Sequence, residues 1–328
     1  MRCRRGLIHP LSLVSVLLLS LTLSGTVAAQ QTKTEDSDED TELIDDIRSG
    51  LQTGVSATAA WLDSFFTEDI IRSDYENAYG SLTLRPEWDE YNGLELDTSF
   101  RAKVILPHAE RKISAIIGRG DFDDFINDQQ TTRPTVIRRD EADEEWMIGL
   151  GFDPMVRANH NVSFGAGFRG GINLDPYVRA RYRYEGIINE RSEIILQTVG
   201  FWRDSDGFGV AQTIEHDFAL SERWFNKFWV RGTFAERTEG LRWHASEKLY
   251  YIYHHERAVG AEIWWYGETE HEIPMQDYGL RALHRSRFLR EWLYLEAWVG
   301  THWPREHLSE HRQPRWLVGI ELELQFGD

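Results

Sequence analysis

Thiols are almost missing from this chain. Its 328 residues hold one cysteine, Cys3. That residue precedes the apolar N-terminal run, which places it badly for a lipid anchor. A chain that loses its leader keeps no cysteine, which excludes disulfides, thiolate metal sites and cysteine nucleophiles. Positive charge is also short. Lys and Arg number 36 against 54 Asp and Glu, a formal net charge of −18, and removal of Arg2, Arg4 and Arg5 with the leader takes it to −21. The basic footprint of a nucleic-acid partner is therefore absent. Beyond the leader no apolar run approaches the ~20 residues of a spanning helix. Any membrane crossing has to be made by strands closed into a barrel, because lipid satisfies no open sheet edge.

What is present begins with a targeting pattern. Arg2, Arg4 and Arg5 precede an apolar run from Leu11 to Leu23 and then Val27-Ala28-Ala29, the three regions of a secretory signal peptide. We expect residues 1–29 to be that signal peptide, cleaved after Ala29. Residues 30–42 are polar and acidic and are expected to form a disordered leader. Over 43–66 the apolar residues Leu43, Ile47, Leu51, Val55, Leu62 and Phe65 recur near helical spacing. This predicts an amphipathic helix, lying in the periplasm, at the interface or as a plug.

From about residue 75 to 328 the rhythm changes to period two. Leu94, Leu96, Thr98, Phe100, Ala102 and Val104 alternate with Glu95, Asp97, Ser99, Arg101 and Lys103. Val178, Ala180, Tyr182 and Tyr184 alternate with Arg179, Arg181, Arg183 and Glu185. The last run, Trp316 to Phe326, sets Val318, Ile320, Leu322 and Leu324 against Gly319, Glu321, Glu323 and Gln325. Alternate side chains of a strand point to opposite faces, so each strand is apolar on one side and charged on the other. Aromatics at both ends of the apolar side suit a strand that crosses a bilayer. The fold class is all-β: a closed antiparallel transmembrane β-barrel of about 14 strands (12–16) with an N-terminal helix. Connections 107–111, 186–191 and 254–257 fall at one end, and the longest gaps, 120–144 and 304–313, fall at the other. Short turns at one rim and long loops at the other are the asymmetry of bacterial barrels.

Three phrases carry a resemblance: R-K-I-S-A-I-I-G-R-G-D at 111–121, E-W-L-Y-L-E-A-W-V-G-T-H-W-P-R-E at 291–306, and the ending L-V-G-I-E-L-E-L-Q-F-G. The chain resembles an uncharacterised family of outer-membrane β-barrel proteins of Gram-negative bacteria. The resemblance implies fold and location, the cell outer membrane, and no activity. Here Gly327 and Asp328 follow the terminal aromatic Phe326, whereas barrels read by the insertion machinery usually end on the aromatic itself.

The charged faces define the candidate site. Arg179, Arg181 and Arg183 stack along one lumen face as an anion ladder, or else are neutralised by acids of neighbouring strands. Arg101, Lys103, Arg242, His244, Glu262, Arg281, Glu296, Glu321 and Glu323 complete the expected solute-binding lumen. Arg242, His244 and Glu262 suggest an acid–base pair, yet no nucleophile with an orienting motif accompanies them, and catalysis is the weaker reading. His254 and His255 in a turn are not expected to share a metal, since neighbouring strand residues point apart. His302, His307 and His311 are placed in an outer loop. Inward Trp264, Tyr266, Trp292, Tyr294 and Trp298 offer a sugar-stacking slide, and Gly165, Gly167, Gly170 and Gly171 give room inside strands in place of a phosphate loop. No metal or cofactor is implied. The expected partners are outer-membrane lipid, the barrel-insertion machinery and small polar solutes. The leading reading is porin-like passage of small polar or anionic solutes. An outer-membrane lipid or peptide hydrolase, a closed structural or adhesive barrel, and a large soluble β-sandwich are the alternatives.

Overall fold

The computed structural model describes residues 45, 47–49, 78–106, 112–120, 145–157, 159–170, 174–205 and 207–327. The chain divides into two units, Met1–Ile44 and Asp45–Asp328, and every described residue belongs to the second. The signal peptide and the acidic leader lie outside the described residues, as does most of 43–66. Residues 45 and 47–49 are helical.

Fourteen strands follow: β1 (Ala78–Asp89), β2 (Gly93–Ile105), β3 (Ile113–Gly120), β4 (Glu145–Arg157), β5 (His160–Arg169), β6 (Asp175–Asn189), β7 (Ser192–Arg203), β8 (Gly207–Ala219), β9 (Trp224–Ala235), β10 (Arg242–His254), β11 (Arg257–Glu268), β12 (Asp277–Phe288), β13 (Arg290–His302) and β14 (Arg315–Phe326). Each pairs antiparallel with its sequence neighbours, and β1 pairs with β14 to close the barrel. Closure removes the unpaired edge that an open sheet would present. The expected strand number is met, and the open β-sandwich alternative is overturned by the β1–β14 ladder.

The burial pattern fixes which face is which. On β14, Trp316, Val318 and Ile320 are 62%, 40% and 39% exposed, whereas Leu317 is buried and Glu321 is 9% exposed. The apolar residues point out and the charged ones in. Outward aromatics gather at the two rims. Trp88, Trp146, Trp202, Trp243 and Trp316 stand at the loop end, and Tyr182, Tyr184, Trp224, Tyr251 and Tyr253 at the turn end. The turn-end belt is knitted by polar contacts. The Tyr182 hydroxyl shares a 2.8 Å hydrogen bond with His160, the Tyr253 hydroxyl one with His284, and the Ser192 hydroxyl one with His216, each 2.8 Å. An aromatic body with a satisfied polar tip is what an apolar–aqueous boundary selects.

The β1–β14 seam has its own device. The ladder runs from Gly80↔Phe326 to Asp89↔Leu317 but skips Arg85 and Pro86. Proline has no N–H to give a ladder. Across the gap Arg85 Nε and Nη2 both donate to one Glu321 oxygen, at 2.8 and 2.5 Å. A side-chain ion pair thus replaces the missing backbone pair. Below it the Phe326 ring stacks on Phe100 at 6.1 Å and lies over Gly80, where a Cβ would sit 2.6 Å from the ring.

Inward glycines do a related job. A Cβ on Gly319 would meet Trp298 at 2.3 Å, and one on Gly279 would meet Trp264 at 2.3 Å. Their absence lets both indoles lie flat on the inner wall. Of the glycines expected to give room, Gly165 and Gly167 do so, since a Cβ would meet Arg179 at 2.8 Å and the Tyr177 hydroxyl at 2.8 Å; Gly170 instead follows β5 at φ 98°, and Gly171 lies outside the described residues.

Candidate functional site: the charged lumen

Register places all twelve expected lumen residues on the inward face, because each pairs with another inward residue. They do not form one cluster. They divide between two opposite walls.

The first wall is β10 to β14 with β1 and β2. Arg281 (β12) donates through Nε and Nη2 to one oxygen of Glu262 (β11), at 2.7 and 2.5 Å. Lys248 (β10) stands 3.8 Å from the other oxygen. The Arg281 guanidinium lies between two indoles, 5.3 Å from Trp264 and 5.0 Å from Trp298. Arg281 is 2% exposed and Glu262 is 1% exposed. Two inward positions toward the turn end, Arg285 bridges Glu296 at 3.3 Å and Glu323 at 3.0 Å, against the Tyr294 ring. One step toward the loop end, the fully buried His302 sits between Asp277 (3.1 Å) and Asp89 (3.2 Å), joining β13 to β12 and β1. Trp298 Nε1 donates to Glu87 at 2.7 Å. Arg85 holds Asp97 at 3.2 Å as well as Glu321. These groups form one interlocked lattice across seven strands. Buried charges survive only when paired and hydrogen-bonded, and here the pairs cross strands, which ties the wall together.

Several expectations change here. The acid–base pair is not assembled: Glu262 is held by Arg281 and Lys248, and Arg242 pairs with Glu268. His244 packs edge-on against Trp229 at 5.0 Å and Tyr266 at 6.2 Å. The sugar-stacking slide is also taken, since Trp264 and Trp298 clasp Arg281 and the Trp292 ring carries Arg48 at 5.2 Å. His302 belongs to a strand. Its parity with Glu296, Trp298 and Gly300 marks it as inward. His254 and His255 do come together with Glu256, their ligand atoms within 4.8 Å, because the two-residue turn after β10 bends them onto one side. All three are exposed, and the two imidazole centroids lie 3.9 Å apart with the rings tilted by 31°.

The second wall is β5 to β7. Arg179, Arg181 and Arg183 stand in register with Gly165, Ser163 and Asn161 on β5 and with Phe201, Val199 and Gln197 on β7. None of these six neighbours is acidic, so the acid partners expected on adjacent strands are not directly opposite. Arg183 pairs instead along its own strand, with Glu185 at 2.6 Å. Inward Arg169 and Arg203 extend the basic surface, Arg203 lying 3.9 Å from Asp175. On β2, in the first wall, Arg101 faces Ser81 and Gly118, and Lys103 reaches Asp153 on β4 at 3.4 Å. On the second wall Tyr177, Val199, Phe201 and Ala211 pack together beside the ladder, with Arg169 and Arg203 at its loop end.

In a ring of fourteen strands β6 lies seven places from β13. The strand that carries the arginine ladder thus lies across the ring from β13, which carries Glu296, with Glu321 and Glu323 next to it on β14. The loop rim over the acid-rich wall is ordered as well. Arg312 donates to the carbonyls of Trp303 (2.5 Å), Gln276 (3.4 Å) and Met275, and stacks on Tyr278 at 5.2 Å. The backbone N–H groups of Glu306 and His307 donate to Glu310, at 3.1 and 3.3 Å. Those donors, Glu306 first, hold the Glu310 carboxyl below its usual value.

The features define a class: a closed antiparallel barrel with an apolar exterior and an ionised interior. No protein-family model matches the chain, and no curated protein does. Among solved structures it is similar to an anion-selective porin from Comamonas acidovorans, at 8% identity over 76% of this chain and 98% of that one, TM-score 0.44. It is similar also to a KdgM porin in complex with disordered oligogalacturonate (9% identity, 74% and 97% coverage, TM-score 0.33) and to a loop-deletion mutant of OmpT, an outer-membrane protein of Vibrio cholerae (8%, 76% and 98%, TM-score 0.45). Identities this low carry no chemistry from one chain to another.

Proposed function

We propose that the protein is an outer-membrane barrel of porin-like function, which passes small polar or anionic solutes through a charge-segregated lumen. The observation that carries this is the opposition of the Arg179–Arg181–Arg183 ladder on β6 to the acidic β13–β14 wall. Opposed charges across a water-filled gap set up a transverse field that orients small dipoles and draws anions to one side. Guanidinium groups suit carboxylates and phosphates because their donors form a planar fork. The belts of Trp and Tyr at both rims and the apolar exterior between them support a lipid surrounding.

The test is ion flow through purified, heat-modifiable protein in a planar bilayer under a salt gradient. Wild type is expected to conduct, and the triple variant R179Q/R181Q/R183Q to shift the reversal potential toward cation preference. A folded protein that never conducts overturns the proposal and leaves the lattice of the first wall as the interior of a closed, structural barrel. An unchanged reversal potential removes the ladder's role.

A further inference from the structure

The outward face of the barrel is apolar between its aromatic rims except at one place. On β10 the outward residues are Trp243, Ala245, Glu247, Leu249 and Tyr251, so Glu247 sits midway between the belts, and it is exposed. Among the described residues it is the only acidic side chain on the outer face between the rims; the outward Arg119 on β3 stands in register with the loop-end Trp146. It is not isolated. Asn226 on β9 donates to Glu247 at 3.0 Å, and on β7–β8 the Thr198 hydroxyl donates to the exposed Gln212 at 2.6 Å. Gly232 pairs with Gln212 across the strands, Gly200 is the next outward residue after Thr198 on β7, and a Cβ at Gly200 would meet nothing within 4 Å.

Acyl chains offer such a stripe nothing. A carboxylate facing hydrocarbon is costly, and the second Glu247 oxygen needs donors at the same depth. The geometry points to a second copy of this chain as the partner, docked through β7–β10. Two barrels inserted in the same sense are related by an axis along the membrane normal, which brings residues of equal height together. The stripe is the only strongly polar patch between the rims among the described residues, so it must meet itself. Self-pairing of one patch is a two-fold, closed contact. With the axis between β8 and β9, β7 faces β10 of the second copy, and Thr198 and Gln212 come to the level of the second copy's Glu247. The glycines permit close approach, as small residues do between membrane segments.

The inference rests on membrane insertion but not on conductance, so failure of solute passage would leave it standing. The experiment measures copies per particle of full-length protein in lipid nanodiscs and in mild detergent, by light scattering with mass correction. Wild type is expected at two copies and E247L/Q212L/N226L at one, with heat-modifiable migration unchanged in both. In a Cys3→Ser background, Gln212→Cys is expected to cross-link to a two-chain band under mild oxidation, while Val318→Cys, outward on β14, is not. Wild type that stays at one copy at every concentration overturns the inference, as does a triple variant that assembles like wild type. Should the triple variant not fold, cross-linking at Gln212→Cys alone decides, and equal cross-linking at Val318→Cys also refutes it.

Discussion

Replacing Arg281 by Met probes the lattice of the acid-rich wall at its centre. The change keeps most of the side-chain volume but removes both donors to Glu262, which is 1% exposed. Glu262 is then left with Lys248 at 3.8 Å. Losing one partner of a buried ion pair costs about 3–5 kcal/mol. The lost guanidinium stacking on Trp264 and Trp298 is partly made good by sulfur–aromatic contact, worth about 0.3–1.5 kcal/mol. Arg281→Met is therefore expected to cost about 3–5 kcal/mol. Glu262→Gln alone should cost about 3 kcal/mol, since it leaves a buried guanidinium against a neutral amide. Together they remove the charge mismatch, so the double variant should cost no more than either single, an interaction energy of about 3 kcal/mol. Urea unfolding in micelles, followed by Trp fluorescence, reads this as a midpoint shift of about 1–3 M for each single variant. Additive costs, or a loss under about 1 kcal/mol for Arg281→Met, would refute the lattice.

Other perturbations follow from single contacts. Gly319→Val puts a side chain within the space of Trp298, and overpacking of this kind costs about 1–3 kcal/mol, seen as a lower heat-modification temperature; Gly93→Ala, open on all sides but at φ 93°, should disturb only its turn. Arg312→Ala frees the carbonyls of Met275, Gln276 and Trp303, and limited proteolysis should then cut the 303–314 loop faster without loss of the barrel. Glu310 has a depressed pKa in the folded loop, so its contribution is complete above the unfolded value near 4.3 and fades as pH falls through the lower folded value. Protection of the Glu306 and His307 amides, taken relative to their intrinsic exchange rates at each pH, should fall over that acid range, and Glu310→Gln should flatten the dependence.

The barrel was readable because lipid and water impose opposite demands at a period of two, and that rhythm runs through β2, β6 and β14 almost unbroken. The inward direction of Arg179, Glu262 and Glu321 followed from the same parity. What could not be read was pairing. Which arginine reaches which acid depends on register between strands far apart in sequence, as for Arg85 with Glu321 or His302 with Asp89. A short-range reading hid one of these, by placing His302 in an outer loop. The ligand atoms of His254 and His255 converge for a local reason, since the bend of the turn overrides the rule that neighbours on a strand diverge. Glu247 was passed over in the sequence, and its surroundings appear only once β7–β10 are laid side by side.

Single cysteines along β6, each carrying a fluorophore in a Cys3→Ser background and reconstituted into lipid with brominated acyl chains, put the alternation of lipid and water to the most direct trial. Quenching at positions 178, 180 and 182, with positions 179, 181 and 183 reached only by aqueous quencher, is the expected pattern. Equal quenching on both faces, or lipid quenching at the arginine positions, contradicts a charged interior inside an apolar shell.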